Sequence, residues 1–466
     1  MSTIAAISTP YGTGGIAVIR VSGTDALPVV DSLFSGKRSL LDARPYTIVY
    51  GEIRKKTTAE VLDRVLVSVF RAPHSFTGED VVEIACHGSL YIQQELLRWL
   101  IEAGCTMAAP GEFTQRAFLN GKMDLSEAEA VADLIASESK AAHDLALRQL
   151  KGGISTELAS LRERLLHFTS LIELELDFAD HEELEFADRT ELSRLADEIS
   201  AHIGRLLSSF RTGNAIRNGV PVAIIGPTNV GKSTLLNRLV GEERAIVSDE
   251  QGTTRDTIED VVNINGLQFR FIDTAGIRRT DNKVEEIGIS RSLEAARKAD
   301  IILLVSDIRN PQSVSFDYTD WHNKTVIPVL NKADLLQAGQ IGQAVAAFLS
   351  STLLTALSSE CRLSEPLCLS AKDGDIEALR NRLLQTVPDM QGVQQNAVIS
   401  NARHFEALQR AYVAIERVRS GITDGISGEF LSMDLQDCIH ALGEITGSIT
   451  SQDVLNNIFS HFCIGK

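Results

Sequence analysis

Cysteine is scarce in this chain: six in 466 residues (Cys86, Cys105, Cys361, Cys368, Cys438 and Cys463), none forming a CxxC pair. That spacing excludes a zinc ribbon and a thioredoxin-like site, and a chain this long calls for no disulfide framework. Positive charge is also in deficit, with 45 Lys+Arg against 62 Asp+Glu and a formal net charge of -17. Non-specific binding to DNA or anionic lipid rests on a cationic surface, so both roles are disfavoured, while a local basic pocket stays compatible. No apolar run reaches the roughly 18 residues that a membrane span requires. The start, MSTIAAISTPYGTGG, lacks the basic residues and apolar stretch of a signal peptide. The ending CIGK fits a prenylation box poorly, because it closes on Lys and follows no polybasic run. Internal repeats and low-complexity tracts are lacking too. These absences predict a cytoplasmic protein with no membrane role.

What is present is ordinary globular material, 44% hydrophobic and 23% charged, in a length that suggests about three domains. Short β-rich runs at 16–23, 46–53, 65–72 and 81–88, followed by helical spacing over 90–104, predict an α/β domain at 1–118. Leu158, Leu161, Leu165, Phe168 and Ile172, then Leu192, Leu195 and Ile199, step by three and four as helices do. The acidic stretch between them, 177–188, reads as a solvated inter-helix loop. From 217 to 385 apolar strands alternate with helical runs, the pattern of a doubly wound parallel sheet. Helical spacing returns at Phe405, Leu408, Tyr412 and Ile415, and GITDGISGEF (421–430) reads as a loop without a basic cluster. The fold class expected is multidomain α/β plus all-α. A helical domain split between 119–216 and 386–466 would carry the α/β domain 217–385 as an insertion.

The strongest motif is GPTNVGKS at 226–233, placed between an apolar strand and a helix. This is GxxxxGKS in its proper context: backbone amides from Asn229, Val230, Gly231, Lys232, Ser233 and Thr234 would cradle phosphate oxygens. Lys232 would reach the β- and γ-phosphates and the Ser233 hydroxyl would ligate Mg²⁺. Asp273, Thr274, Ala275 and Gly276 (DTAG) end a second strand, where the Asp can hold the Mg²⁺ shell and the Gly amide a γ-phosphate. Asn331, Lys332, Ala333 and Asp334 (NKAD) follow a third strand. The Asp334 carboxylate can accept from guanine's two donors, whereas adenine would leave it badly paired. Ser370, Ala371 and Lys372 (SAK) stand at the next strand end, in position to back the base. In order and spacing these motifs resemble the Ras-like GTPases, so the ligand is GTP or GDP. Two departures matter. Ile277 stands where Ras-type proteins carry the water-orienting Gln, and an alkyl chain cannot hold water. Asn229 inside the P-loop, with the stretch SDEQGTTRD at 248–256, could instead ligate K⁺ and neutralise developing charge.

With GGIAVIRVSG near the start, SFTGEDVVEIACHG (75–88), PGEFTQRAFLNGKMDLSEAEAVADLI (110–135) and the C-terminal EITG and FCIGK, the whole chain resembles the MnmE (TrmE) tRNA-modification GTPases. The resemblance implies an N-terminal tetrahydrofolate-binding domain that forms a homodimer, a helical domain, and a GTPase domain inserted in the latter. It implies work on tRNA with the flavoprotein MnmG (GidA) in a heterotetramer, FAD residing in that partner. The product would be an aminomethyl or carboxymethylaminomethyl group on C5 of the wobble uridine, its one-carbon unit supplied by a 5-formyl or 5,10-methylene tetrahydrofolate. By the same resemblance Asn229, Ser248, Glu250 and Thr253 would surround K⁺, and Ser233 and Thr254 would serve Mg²⁺. Asp249, Gln251 and Gly252 would complete the nucleotide-contacting stretch. Ser248 departs from the Thr of many members, a change that a backbone ligand survives. Glu285 matches the family's catalytic glutamate; on the residues alone it is a helix-start acid with Glu286 as its rival. Arg20, Glu83, Lys122 and the terminal Lys466 match folate-binding positions, and Cys463 lies in the motif suspected of a part in the modification chemistry.

Two other classes compete. An Era-like GTPase that gates RNA binding or ribosome assembly would append a basic KH-type module after the GTPase domain. A dynamin-like membrane GTPase would need an amphipathic basic anchor. Neither feature is visible in the sequence.

Overall fold

In the computed structural model the described residues are 2–55, 60–177, 188–241, 259–272, 293–310, 321–350, 361–387 and 397–465. The acidic stretch read as an inter-helix loop therefore lies almost wholly outside them. The chain divides into two compact units, one made of Met1–Ala136, Ala146–Ile203 and Ala407–Lys466, the other of Ser137–Leu145 and Gly204–Glu406.

The first unit opens with a seven-stranded sheet of β1 (Ile4–Ile7), β2 (Gly14–Ser22), β3 (Phe34–Gly36), β4 (Thr47–Arg54), β5 (Val61–Phe70), β6 (Val81–Gly88) and β7 (Thr106–Met107). Its order is β3-β4-β5-β6-β2-β1-β7, antiparallel except where β1 meets β7. Alternation decides its faces. Ile19, Val21, Val65, Val67 and Ile84 turn inward to a core shared with Leu27 and Val30 of α1 (Ala26–Leu33) and Leu96, Trp99 and Leu100 of α2 (Leu90–Glu102). The opposite face keeps Arg20, Glu83, Leu66, Ile48 and Tyr50, and α3 (Glu112–Leu119) covers only its β1 end, packing Phe113 on Ile4 and Ala6.

Helices α4 (Leu125–Ala136), α5 (Lys140–Leu150), α6 (Ser155–Asp177) and α7 (Arg189–Asn218) follow. Every apolar position picked out at helical spacing on α6 and α7 is buried. The unit is completed by α8 (Ala402–Asp424) from Ala407 onward, α9 (Gly428–Thr446) and α10 (Gln452–Ser460). Here the expectation of a loop over 421–430 is wrong: only 425–427 turn. Gly421 is a helical residue that must be glycine because the Ile426 side chain fills the space a Cβ would need, and Gly425 ends the helix at φ +65°.

The second unit is a sheet ordered β13-β12-β11-β8-β10-β9, with β14 also paired to β12. Its strands are β8 (Val220–Ile225), β9 (Asp260–Ile264), β10 (Leu267–Phe271), β11 (Ile301–Asp307), β12 (Thr325–Asn331), β13 (Arg362–Leu363) and β14 (Leu367–Cys368). Both faces are buried, as near-continuous apolar strands require. Val222, Ile224, Leu303 and Val305 enter one core, while Ala223, Ile225, Ile302 and Leu304 enter the other. The edge differs from an all-parallel expectation. β9 and β10 form an antiparallel hairpin whose turn, Asn265-Gly266, has φ +50° and +83°, the positive pair an Asn-Gly turn supplies.

Candidate nucleotide and pterin sites

β8 ends directly in the P-loop, and the helix Lys232–Gly241 begins at its Lys. Gly226 is demanded by close approach, because a Cβ there would strike the Val305 carbonyl of β11. Gly231, at φ +98°, leaves room for the Asn331 amide. That amide organises the pocket. Asn331 is 2% exposed. Its Nδ2 donates to the Val230 carbonyl at 2.8 Å, and its Oδ1 accepts from the Ala371 amide at 2.8 Å. One side chain thus ties P-loop, NKAD turn and SAK loop together through buried hydrogen bonds, each costly to leave unmade. Lys332, left-handed at φ +68°, sends its ammonium to the Asn229 carbonyl at 2.6 Å. The Ala333–Leu335 turn leaves Asp334 exposed and free to face a base. The Ser370 Oγ accepts from the Asp373 amide at 3.2 Å, and Arg238 donates to the Lys372 carbonyl at 3.2 Å, which fixes the SAK loop.

Lys232 donates to the carbonyls of Gly226 and Pro227 at 2.8 and 2.6 Å. Burial lowers its pKa, since its ammonium is stripped of water. Phosphate oxygens are better acceptors than these neutral carbonyls and would draw the ammonium across. Ser233 is half-buried in the first turn of its helix, where Mg²⁺ could be held; Thr234 and Asn229 are exposed. The remaining candidates lie outside the described residues: Ser248, Asp249, Glu250, Gln251, Gly252, Thr253, Thr254, Asp273, Thr274, Ala275, Gly276 and Glu285. Sequence reasoning passed over Asp307, the last residue of β11, which pairs with Lys332 at 2.9 Å. Its register with Asn331 appears only in the paired sheet, so no local signal in the sequence singled it out.

In the other unit Arg20 and Glu83 are cross-strand partners on β2 and β6. The guanidinium donates to Glu83 Oε1 at 3.0 Å from Nε and 2.8 Å from Nη2. It also lies over the Phe76 and Phe113 rings, 5.5 and 5.6 Å from their centroids. Neither aromatic stood out in the sequence as a site residue. Lys122 donates to the Pro73 carbonyl at 3.0 Å, on the same loop as Phe76. An acceptor, two cations and two rings suit a flat heterocycle bearing an anionic tail, and a pterin with its glutamate is such a molecule. The C-terminal tail reaches this sheet: Ser8 donates to the Gly465 carbonyl at 3.1 Å, and the Gly111 amide to that of Cys463 at 3.4 Å. Cys463 is exposed, whereas burial pushes the thiols of Cys86 and Cys105 up to about 11 and that of Cys438 up to about 12. Lys466 lies outside the described residues.

Comparison with known proteins fits both halves. Residues 3–122 match the GTP-binding protein TrmE N-terminus family and residues 125–463 the MnmE helical domain family. The tRNA modification GTPase MnmE of Parabacteroides distasonis is 53% identical, covering 100% of both chains. The protein of the same name in Porphyromonas gingivalis is 51% identical over 100% of this chain and 98% of its own. Among solved structures, the FeoB G-domain of Methanococcus jannaschii is 26% identical over 36% of this chain and 97% of that one, at a TM-score of 0.24, which adds nothing to the assignment. Full-length identity at this level, joined to a P-loop and guanine loop locked by Asn331, makes this chain a GTP hydrolase belonging to the MnmE (TrmE) family of tRNA modification GTPases.

Proposed function

We propose that this GTPase is stimulated by K⁺ and acts with the flavoprotein MnmG (GidA) on the wobble uridine of certain tRNAs, adding an aminomethyl or carboxymethylaminomethyl group to C5. The observation that carries the GTP half is Asn331, which joins the phosphate and base loops so that Asp334 reads guanine where Lys232 and Ser233 meet phosphate and Mg²⁺. Asn229 supports the potassium reading: it is exposed in a left-handed P-loop turn, with its carbonyl taken by Lys332, which leaves its side chain to serve a cation. Bound K⁺ would supply positive charge beside the phosphates; Ser248, Glu250 and Thr253 complete its proposed set, and Thr254 that of Mg²⁺. Glu285 is proposed to orient the attacking water in place of the Gln that Ile277 replaces.

The folate reading rests on Arg20, Glu83 and Lys122 beside two aromatic rings, with Cys463 and Gly465 brought to the same sheet by the tail; Lys466 is proposed to complete the set. A tetrahydrofolate derivative would supply the one-carbon unit; the residues here bind and orient it. Homodimerisation is supported by the outer face of the first sheet. There Val18, Ala85, Leu66 and Tyr50 stand side by side in register, and Leu66 and Tyr50 are 48% and 61% exposed. With a net charge of -17 the partner, which would carry FAD, is proposed to provide most tRNA contact. Among the described residues no helix is long and apolar enough to cross a membrane, and we place the enzyme in the cytoplasm. The deciding experiment is wobble-uridine analysis of tRNA from cells lacking this chain, with and without complementation. Unchanged nucleosides would refute the proposal. GTP hydrolysis at equal ionic strength in KCl and NaCl tests the cation separately: equal rates would remove K⁺.

A further inference from the structure

Asp307 belongs to none of the nucleotide motifs, yet Lys332 rests on it. Its Oδ2 lies 2.9 Å from the Lys332 ammonium. Its other partner is Arg309, which donates from Nη2 to Oδ2 at 2.7 Å and from Nε to Oδ1 at 3.0 Å. The Asp307 side chain is 16% exposed and that of Arg309 52%, so the carboxylate is sheltered while the arginine covers it from outside. Lys332 spends its remaining reach on the P-loop, at 2.6 Å from the Asn229 carbonyl. Both Asn229 and Lys332 are left-handed, at φ +62° and +68°, a conformation that non-glycine residues keep only where their surroundings hold it. A lysine stem is flexible and its ammonium is a mobile point charge. Two acceptors, the Asp307 carboxylate and the Asn229 carbonyl, are what hold it to one place. The sheet supplies the second acceptor without a dedicated loop, because parallel pairing of β11 and β12 sets Asp307 directly beside Asn331.

We propose that Asp307 is a positioning residue of the nucleotide site: it holds the Lys332 ammonium on the Asn229 carbonyl and thereby couples the guanine-reading turn to the P-loop turn. The inference rests on the GTP reading of this pocket, and its cation arm on the potassium proposal. Asp307 touches no substrate; it acts through Lys332 on both the base site and the orientation of Asn229.

The test measures, on the full chain, the Kd for a fluorescent GDP analogue and the KCl concentration giving half-maximal GTP hydrolysis. Asp307→Ala is expected to weaken GDP binding about tenfold, ~1.4 kcal/mol, and to raise the half-saturating KCl several-fold. Asp307→Glu should recover most of both. Arg309→Gln, which leaves the Lys332 contact in place, should match the parent protein. Asp307→Asn keeps the shape without the charge and serves if the alanine variant does not fold, with an expected loss of about threefold. A variant that melts earlier but binds GDP normally would make Asp307 a packing residue and overturn the proposal. So would an Arg309→Gln variant as impaired as Asp307→Ala. If the parent protein ignores K⁺, the potassium reading fails while GDP affinity still decides the role of Asp307.

Discussion

In the parallel sheet the candidate site residues come from strand ends and the turns just beyond them; in the antiparallel sheet the candidates Arg20 and Glu83 project from strand middles. The first arrangement concentrates each function in a short contiguous motif, because one turn must present several backbone groups at once. The second assembles its site from side chains 63 positions apart that the register alone makes neighbours. The two also differ in how tightly they are held. Asn331 is sealed and spans three loops, whereas the Arg20 and Glu83 side chains keep 20% and 29% exposure and pair with each other at the surface.

This contrast can be broken by substitution. The largest effect is expected from Lys232→Ala, which should reduce GTP affinity or turnover by two orders of magnitude or more. It should leave titration with 5-formyltetrahydrofolate unchanged; loss of folate binding would show that the sites are not independent. Asn331→Ala should do two things at once, weakening nucleotide and costing about 2–4 kcal/mol of stability, because the Val230 carbonyl and Ala371 amide lose their partner. A thermal melt unmoved by this change would contradict the locking role. Leu66→Asp puts a charge in the exposed apolar row of the first sheet and should shift the chain from dimer to monomer by sedimentation or light scattering. Glu83→Gln should weaken 5-formyltetrahydrofolate about tenfold with GTP hydrolysis intact, since the carboxylate's charge is lost both to the pterin edge and to Arg20 and one of its oxygens becomes a donor.

The smallest effect concerns pH. Donation from the Ser200 hydroxyl, then from Arg419, holds the Glu416 carboxyl below its ordinary value. A depressed carboxylate contributes stability above its unfolded pKa of about 4.3, and that contribution vanishes as pH falls through the folded value. Glu416→Gln should therefore cost about 0.5 kcal/mol at pH 7, a cost that begins to fade below the unfolded value and is gone only once the pH has fallen past the folded one, by denaturant titration across an acid series.

Legibility in the sequence followed the same division. Strands β2, β4, β5, β6, β8, β11 and β12 and the long helices announce themselves by period, because burial on one or both faces dictates it. The short strands β1, β3, β7 and β13 do not, being only two to four residues long, while β14 was legible through the SAK motif that follows it. The β9–β10 hairpin carried its own signal in Asn265-Gly266. The 421–430 segment misled because its glycines read as loop, while Gly421 is there to admit Ile426 into a helix–helix corner. In the P-loop the motif named every described residue. Around Arg20 nothing local distinguishes a ligand-holding arginine from a surface one, and only the family resemblance singled it out.

By itself, then, the amino-acid sequence determined that this chain holds a guanine nucleotide on a domain of alternating strands and helices, and that it also contains an N-terminal α/β domain and helical segments, since contiguous motifs and periodic apolar faces are local properties. Only the tertiary structure decided that Asn331 locks three loops and that Asp307 lies under Lys332. It alone brought Phe76 and Phe113 against Arg20 and the C-terminal tail against β1. Each of these depends on strand order and register, and pairing across a sheet is a long-range property that no short stretch of chain contains.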